Sequence, residues 1–419
     1  MSDWTVTKIK DIGRVVTGKT PPTESKEYFD GDEFFVSPKD LSWEQYYVSE
    51  TETRISEKAF SKFKNQVLPA NAVMFTSLSF AFGKMGLTSK RSLTNQQINS
   101  IIVNEANDYK FIFYLLKAYR PIIFSYNSGI DTPIVPKSVF EAIKVVCPPK
   151  QTQQKIAAIL SAYDDLIANN QRRITLLERM AEDIYREWFV RLRFPGYKDK
   201  GNKIEKGVPH GWSLVPLERA FRFFGGATPA RDTPRYWNNG DVNWFTPTDI
   251  TGAEGMFLSS SGEQCTEEGL ESCSSKMFPA YSVMMTSRAT IGAIGINLTP
   301  ACTNQGFITC IPNESYPLGY LYHWLKLGKP YFESLSGGST FAELTKGTFK
   351  RMEILTPPQA LVQQFQQLIA PLLKAIETDL KANASLKATR DALLPRLISG
   401  KLAVNALDIY FPPGMSPSD

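Results

Sequence analysis

Residues Lys150–Phe194 read KQTQQKIAAILSAYDDLIANNQRRITLLERMAEDIYREWFVRLRF, and this stretch decides the fold. Its apolar residues recur at alternating steps of four and three. That spacing is the period of about 3.5 residues that keeps one face of a long helix against a partner. We call this face the first seam; it comprises Ile156, Leu160, Tyr163, Ile167, Asn170, Ile174, Leu177, Ala181, Ile184 and Trp188. A second helix is therefore expected to lie along it.

The chain itself supplies that second helix. Adding 209 to each position gives a second seam, which comprises Phe365, Ile369, Leu372, Ile376, Asp379, Asn383, Leu386, Arg390, Leu393 and Leu397. Antiparallel pairing of the seams puts Asn170 opposite Asn383, where a buried amide pair can fix the register. The alternative is that these amides are partly exposed and fix nothing. Pro371 and Pro395 lie inside the second helix and are expected to kink or divide it.

The globular stretches before the two helices also match each other. The matched pairs are Thr20-Pro21 with Thr228-Pro229, Tyr28 with Tyr236, Gly31-Asp32 with Gly240-Asp241, Ser37–Leu41 with Thr246–Ile250, Val73–Ser77 with Val283–Ser287, Thr94–Gln96 with Thr303–Gln305, and Ser128-Gly129 with Ser336-Gly337. The offset stays between 208 and 210. A repeat of this length indicates two similar domains rather than a solenoid.

Each repeat is predicted to contain short strands followed by one amphipathic helix. Predicted strands of the first repeat are Asp32–Val36, Val73–Ser77 and Ile98–Val103. The predicted helix is Tyr109–Phe124 in the first repeat and Leu318–Ser334 in the second. Pro121 and Pro330 are expected to end or kink these helices. The predicted fold class is α/β (α+β). It has two similar mixed domains separated by two long helices, which pack as an antiparallel coiled coil, and the internal repeat gives a pseudo-two-fold axis.

These patterns divide the chain into six segments. They are a first domain (1–149), a central long helix (150–194), a linker (195–210), a second domain (211–357), a C-terminal long helix (358–402) and a tail (403–419).

Composition limits the class of protein. The 419 residues are 42% hydrophobic and 21% charged, which is typical of a soluble globular protein. We find no run of about 18 apolar residues and no signal peptide, so we expect a cytoplasmic protein without membrane contact. Five cysteines without CxxC spacing, with only His210 and His323 to add imidazole, predict reduced thiols and no metal site. The net charge of +5 permits a polyanionic partner without requiring one.

Several short motifs together resemble a known family. Pro148-Pro149 and Pro357-Pro358 each precede a glutamine at a helix entry, and the second helix closes with LLPRLISGKL at Leu393–Leu402. Glu187-Trp188-Phe189, then Phe194-Pro-Gly196 and Pro209-His-Gly-Trp212, complete the set. Over nearly its whole length the chain resembles HsdS, the specificity subunit of type I restriction-modification systems.

The resemblance implies two target-recognition domains, each reading one half of a bipartite, asymmetric site in double-stranded DNA. It implies that the paired helices set the spacer between the halves and dock two modification (methyltransferase) subunits, with restriction subunits joining the full complex. The assembly would be an adenine-specific DNA methyltransferase and ATP-dependent endonuclease that uses S-adenosylmethionine, ATP and Mg. This chain would bind none of those cofactors itself.

The residues give no sign of catalysis by this chain alone. A DNA adenine methyltransferase needs an Asn, Asp or Ser before a Pro-Pro-aromatic loop that holds the flipped base. The Pro-Pro pairs here read Cys147-Pro-Pro-Lys150, Thr356-Pro-Pro-Gln359 and Phe411-Pro-Pro-Gly414. A glycine-rich cofactor fingerprint and a P-loop are also missing. The sequence therefore predicts a chain that is non-catalytic by itself.

The matched loops are the predicted DNA contacts, because loops on a duplicated scaffold vary while the fold persists. The candidates are Lys19, Thr20, Lys39, Ser77, Lys84, Thr228, Thr248, Ser287, Arg288, Thr290, Ser339 and Thr340. Arg288 is able to bind guanine or phosphate bidentately, whereas the equivalent loop Thr76–Phe80 has no cation. The two domains are therefore expected to read different bases. The alternative for each residue is an ordinary surface turn.

Two other functions remain open from the sequence. One is a coiled-coil scaffold that presents two protein-binding domains. The other is a self-sufficient methyltransferase, which the absent motifs argue against.

Overall fold

The computed structural model describes residues 3–43, 46–78, 81–128, 133–199, 204–205, 208–337, 342–409 and 411. They form two compact units. The first unit is Met1–Ala168 with Ala384–Asp419, and the second is Asn169–Asn383. Each unit therefore contains a globular domain and a part of both long helices.

The two long helices form where the repeating apolar pattern predicts them. The first spans Lys150–Tyr185 and continues as one π-helical turn at Arg186–Val190. The second spans Gln359–Ile398 without a break. The expectation that Pro371 and Pro395 divide it is therefore wrong. Both prolines are exposed. A proline has no N–H group to donate to the carbonyl group four residues earlier in the helix, and on an exposed face water can bond that carbonyl instead.

The described residues of the first unit form ten short strands in three sheets. In spatial order the five-stranded sheet is Gly13–Thr17, Ile98–Val103, Val73–Thr76, Met85–Thr88 and Tyr47–Val48; the three-stranded sheet is Thr53–Ile55, Glu33–Val36 and Ser92–Thr94; the third pairs Thr5–Lys8 with Lys144–Cys147. Besides the long helices, its α-helices are Ile9–Ile12, Glu57–Lys62, Tyr109–Ser125 and Lys137–Ala142, and its 3-10 turns are Lys26–Tyr28 and Lys64–Gln66.

The second unit repeats this topology strand for strand. Its five-stranded sheet is Phe223–Gly225, Phe307–Cys310, Val283–Thr286, Ile294–Asn297 and Phe257–Leu258; its three-stranded sheet is Glu263–Cys265, Val242–Phe245 and Ala301–Thr303; Ser213–Pro216 pairs with Glu353–Thr356. Its α-helices are Leu217–Ala220, Pro247–Thr251, Glu267–Glu271, Leu318–Leu327, Lys329–Leu335 and Lys346–Arg351, with a 3-10 turn at Pro234–Tyr236. A further small pair, Ile204–Glu205 with Val208–Pro209, lies in the predicted linker.

The registers of the two five-stranded sheets agree as well. Met74 lies opposite Gly86 on one side and Ser100 on the other. Met284 lies opposite Gly295 and Thr309 in the same way. The prediction of two similar mixed domains is therefore confirmed.

Two predicted domain helices differ in detail from expectation. Tyr109–Ser125 runs through Pro121, which is exposed, so the expectation that this proline ends the helix is wrong. The predicted helix Leu318–Ser334 is two helices, because the first ends at Leu327 and Gly328 follows it. Pro330 then lies in the first turn of the second helix, where its missing N–H costs no hydrogen bond.

The long helices complete the hydrophobic core of each unit. In the first unit, Ile156 and Leu160 from the first helix and Leu397 from the second pack in one cluster with domain residues such as Phe111 and Val145. In the second unit the cluster contains Ile174, Tyr185, Phe365, Ile369 and Ile376 together with residues of the domain. Every seam residue is buried or half-buried, as the repeating pattern predicts.

Two polar pairs show the direction of the helices within the second unit. Asn170 Nδ2 donates to Asn383 Oδ1 at 2.9 Å, and Arg173 Nε lies 3.3 Å from Asp379 Oδ2. From Asn170 to Arg173 the residue number rises in the first helix, while that of the partner falls from Asn383 to Asp379 in the second. This order is that of an antiparallel pair. The predicted Asn170–Asn383 pair is therefore present, and its role in fixing the register stays a prediction.

The cysteines are free thiols, and four of them, Cys147, Cys265, Cys302 and Cys310, are buried. Within the described ranges, no group of three His, Cys, Asp or Glu side chains is placed to hold a metal ion. None of the helices in that part of the chain is both long and apolar enough to cross a membrane.

A buried polar cluster joins the long helices in the first unit. Arg390 Nη1 donates to Asp164 Oδ1, and the Tyr114 hydroxyl donates to Asp164 Oδ2. Arg390 and Tyr114 are 0% exposed and Asp164 is 5% exposed. Arg390 Nε also donates to Asp391 Oδ1 at 2.9 Å. Because a buried charge is costly without a partner, each charge here depends on the other.

The equivalent positions in the second unit carry no ion pair. Adding 209 takes Tyr114 to His323 and Asp164 to Leu373, and subtracting 209 takes Arg390 to Ala181. These three residues are also buried. The same place in the fold is therefore stabilised by charge in one unit and by apolar packing in the other.

His323 is the polar residue that remains there. Its Nδ1 bonds the Gly319 carbonyl oxygen at 2.7 Å, and its Nε2 is buried without a hydrogen-bond partner among the described residues. Burial lowers the pKa of His323 from 6.5 to about 4, because the imidazolium ion would lose its hydration. The histidine is therefore neutral near pH 7.

We expect Arg390→Leu to lower the free energy of unfolding by about 3–5 kcal/mol, because it leaves the Asp164 carboxylate buried without its cation. Urea denaturation followed by circular dichroism measures the change. A triple variant that copies the apolar arrangement, Asp164→Leu with Arg390→Ala and Tyr114→Phe, is expected to recover most of the loss. A triple variant no more stable than Arg390→Leu would contradict this account.

A second expectation concerns pH. Between pH 6.5 and about 4 the unfolded chain binds a proton at His323 that the folded chain does not, so stability falls as pH falls through this window. The loss attributable to this residue is up to about 3 kcal/mol. The urea midpoint of His323→Gln should therefore vary less with pH than that of the wild type. His210→Gln, at the exposed histidine, is the control, and equal pH profiles for wild type and His323→Gln would refute the assignment.

Candidate nucleic-acid interface

One tight turn of the first unit contains two of the predicted contacts, Lys19 and Thr20. A Cβ at Gly18 would lie 2.1 Å from the Asn95 carbonyl oxygen, so only glycine fits there. Lys19 N donates to Thr94 O at 2.8 Å, which closes the turn. Thr20 Oγ1 then donates to Gln96 Oε1 at 2.7 Å, and the Lys19 side chain is exposed.

The second unit contains the same turn. A Cβ at Gly226 would lie 2.1 Å from the Asn304 carbonyl oxygen. Ala227 N donates to Thr303 O at 3.0 Å. Thr228 Oγ1 donates to Gln305 Oε1 at 2.7 Å. The two turns therefore share their backbone and their Thr–Gln pair, and they differ where Ala227 replaces Lys19.

A second duplicated turn positions Lys39 and Thr248. In the first unit, Asp40 Oδ2 accepts hydrogen bonds from both N and Oγ of Ser37, each at 2.8 Å. In the second unit, Asp249 Oδ2 accepts from Thr246 N at 2.6 Å and from Thr246 Oγ1 at 2.8 Å. The residue before each aspartate, Lys39 or Thr248, is exposed. Lys39 Nζ lies 3.6 Å from a Glu52 carboxylate oxygen.

Ser77 and Ser287 lie inside the protein rather than on its surface. They are 4% and 3% exposed. Asn99 Nδ2 donates to Ser77 Oγ at 2.9 Å, and the Ser77 carbonyl accepts from Val135 N. Ser287 makes the equivalent backbone bond with Leu344 N at 2.9 Å. Both serines therefore hold their loops in place and are not exposed to a ligand in this conformation.

The loop after Ser287 presents the cation that distinguishes the second unit. Arg288 is exposed, and its Nε lies 2.9 Å from Glu343 Oε1. An ion pair near the surface contributes little to stability, so the Arg288 guanidinium can leave Glu343 and bind a ligand at a small cost in free energy. Thr290 is exposed in the same loop, and Lys84 is half-buried behind the matching loop of the first unit. Ser339 and Thr340 lie outside the described residues.

A further cation of the second unit was not among the predicted contacts. A Cβ at Gly225 would lie 2.8 Å from Lys346 Nζ, so this ammonium group sits directly over the strand end that leads into the Gly226 turn. In the first unit the matching Lys137 lies 3.5 Å from Glu141 Oε1 in its own helix. Sequence reasoning missed Lys346 because about 120 residues separate it from Gly225 and no local pattern joins them.

Gln96 and Gln305 were also missed as candidates. Both are exposed, and each lies in a Thr-Asn-Gln turn that the sequence repeats. The repetition of this tripeptide is the signal in the sequence that marks them.

Comparison with known proteins identifies the family. A family model described as type I restriction modification DNA specificity domain matches residues 1–179 and again 209–389. The chain is 29% identical over 420 residues to the MjaIX specificity subunit of Methanocaldococcus jannaschii, covering 97% of this chain and 95% of that protein. It is 25% identical over 362 residues to the HindI specificity subunit of Haemophilus influenzae, covering 70% and 77%.

A solved structure agrees in fold. The S subunit of a type I restriction-modification system from M. genitalium superposes with a TM-score of 0.59 at 16% identity, covering 94% of this chain and 96% of that one. At this identity the likeness concerns the fold alone. The family model, by contrast, matches both halves of the sequence separately and so accounts for the duplicated sheets and turns. The chain therefore belongs to the type I restriction-modification DNA specificity family.

Proposed function

We propose that this chain is the DNA sequence-recognition subunit of a type I restriction-modification enzyme. The observation that carries the proposal is a duplicated scaffold with different side chains at matching loop positions. Both units repeat the same sheets and turns, whereas Ala227 stands where the first unit has Lys19, and Arg288 stands where it has Leu78. Two similar domains with different surface chemistry suit a bipartite, asymmetric site in which each domain reads one half.

The exposed groups have the chemistry that DNA recognition needs. Arg288 can form two parallel hydrogen bonds with guanine or with a phosphate, because it is exposed and its ion pair with the half-buried Glu343 is weak. Lys19 and Lys346 offer point charges to the phosphate backbone, which fixes position without reading sequence. The second unit would therefore read bases with Arg288, and the first with uncharged groups, since the matching stretch of its sequence has no cation.

The long helices suit a second role as spacer and docking element. The first helix exposes Leu176 and Met180, which are 54% and 51% exposed and one helical turn apart. Exposed apolar side chains such as these are available to a partner protein. We assign the exposed faces of the long helices to the docking of two modification subunits, whereas the buried seams pair the helices with each other. Restriction subunits would join the full complex in the cytoplasm.

Catalysis would then belong to the assembly. The complex would be an adenine-specific DNA methyltransferase and ATP-dependent endonuclease that uses S-adenosylmethionine, ATP and Mg, all held by the other subunits. The proposal is supported by the sequence of this chain, which carries no Pro-Pro-aromatic loop of the kind that holds a flipped adenine.

The first test is activity with and without partners. We expect the purified chain to transfer no methyl group to DNA, and the chain mixed with its modification subunits to methylate one bipartite motif. Sequencing of modified bases in cells that express the intact system identifies that motif. Arg288→Ala should relax the sequence requirement in one half of the motif and leave the other half unchanged. Methylation by the chain alone, or a mixture active on every sequence, would refute the proposal.

The second test concerns the spacer. Seven residues inserted after Asn170 and seven after Ala382 lengthen both helices by about 10 Å and keep facing residues paired, since each helical residue rises about 1.5 Å and the two insertions face each other. We expect the methylated motif to keep both half-sites and to gain roughly three base pairs between them. A matched control replaces seven exposed helix residues with alanine and adds none. An unchanged spacer in the lengthened protein would contradict the role of the helices.

A further inference from the structure

Each unit presents a side-chain pair that the fold does not require. Thr20 Oγ1 and Thr228 Oγ1 donate to Gln96 Oε1 and Gln305 Oε1 at the same distance, 2.7 Å. Both glutamines are exposed and both threonines are half-buried, and both turns are already closed by backbone hydrogen bonds. A hydrogen bond between exposed neutral groups contributes little to stability, because water replaces it readily.

Other residues shared by the two turns have evident structural roles. Gly18 and Gly226 avoid a collision with backbone oxygens. The side chains of Asn95 and Asn304 accept from the backbone N–H two residues later, at 3.0 and 2.9 Å. The Thr–Gln pairs close no backbone turn, yet they occur in both halves although neighbouring side chains such as Lys19 and Ala227 differ. Their persistence indicates a contact with something outside the chain.

The geometry of the pair determines which chemical group it can bind. The threonine hydroxyl donates to the amide oxygen, which leaves the glutamine NH2 group as the donor available to a ligand. Such a donor requires an acceptor. Lys19 precedes Thr20 in the first turn, and Lys346 Nζ lies over Gly225, three residues before Thr228, in the second. A donor beside a cation fits an anionic oxygen.

The duplication narrows the ligand further. The neighbouring loops differ in charge, as Leu78 and Arg288 show, so the two units are suited to different bases. A contact that both units retain unchanged must address what the two half-sites have in common. In double-stranded DNA that common element is the phosphate backbone, whose contacts set position and carry no sequence.

We propose that Gln96 and Gln305, oriented by Thr20 and Thr228, each clamp one backbone phosphate in the corresponding half of the DNA site. This inference rests on the proposed function. The clamps hold the two domains in equivalent positions on the duplex, and the neighbouring loops then read different bases from the same starting geometry.

The test uses the complete complex of this chain with its modification subunits. The probe is a duplex oligonucleotide carrying the methylated motif, in a set with one phosphate at a time replaced by an uncharged methylphosphonate. The variants are Gln96→Ala, Gln305→Ala and the isosteric Gln96→Glu and Gln305→Glu. The control is Gln359→Ala. Gln359 is an exposed glutamine whose Nε2 donates to Glu314 O at 2.7 Å. The matching residue of the first repeat is Lys150, so this glutamine is not duplicated.

We expect each alanine variant to bind the unmodified probe about tenfold more weakly, as for the loss of a hydrogen bond to a charged group. Each glutamate variant should bind more weakly still, because a carboxylate repels phosphate. The methylated motif should stay the same. The effect of Gln96→Ala should vanish on a probe with one methylphosphonate in the first half-site, and that of Gln305→Ala on a probe with one in the second. Gln359→Ala should bind as the wild type does.

Three results would overturn the inference. Unchanged affinity in the glutamine variants means that the pairs do not contact DNA. A motif that relaxes at one base pair means a base contact instead of a phosphate contact. If a variant binds every methylphosphonate probe more weakly than the wild type does, its effect on affinity is indirect.

Thr20→Val and Thr228→Val keep both glutamines but remove the hydroxyl groups that orient them. These variants should also weaken binding, and they test the inference where an alanine variant is unstable. A wild-type complex that methylates no bipartite motif would refute the proposed function itself, whereas failure confined to the variants refutes only the clamps.

Discussion

The structure depends on both long helices contributing to both hydrophobic cores. The first core takes Ile156 and Leu160 from one helix and Leu397 from the other. The second takes Tyr185 from one and Phe365 from the other. The hydrophobic core of each unit therefore needs residues from both sequence repeats, because a helix of the other repeat covers part of its apolar surface. Burial of apolar surface is the main stabilising term in folding, so this exchange makes both long helices integral parts of the units rather than appendages.

The buried contacts around the long helices differ in chemistry between the two units. In the first unit Arg390, Asp164 and Tyr114 form a buried polar cluster, whereas Ala181, Leu373 and His323 occupy the same places in the second. A buried ion pair is often no more stable than well-packed apolar residues, but it constrains the helices, because moving Asp164 away from Arg390 would leave a buried charge without its cation. The two units therefore have similar folds with different interiors.

The duplicated turns explain how one scaffold serves two unlike half-sites. Ser37 and Asp40, like Thr246 and Asp249, close their turns with the same hydrogen bonds. Such internal bonds fix the backbone and free the outward residues to differ. Arg288 is exposed with a weak partner, while its counterpart is Leu78, so specificity can change without any cost to the fold. Function often varies in loops while the scaffold persists, and this chain shows that separation between its two units.

The sequence by itself determined the duplication, the seams and the facing pair Asn170–Asn383, because periodicity and a constant offset are properties of the linear chain. It also indicated the family, since the Pro-Pro helix entry occurs in both repeats and the other motifs of the family occur once each in the expected order. The expectation that Pro371 divides a helix was wrong, because its exposure on the outer face could be known only from the packed structure. Only the tertiary structure decided which polar groups meet. It joined Asp164 to Arg390 across 226 positions and Thr20 to Gln96 across 76, and it placed Ser77 inside rather than outside. Contacts between distant residues depend on how strands and helices pack, and no local pattern records that packing.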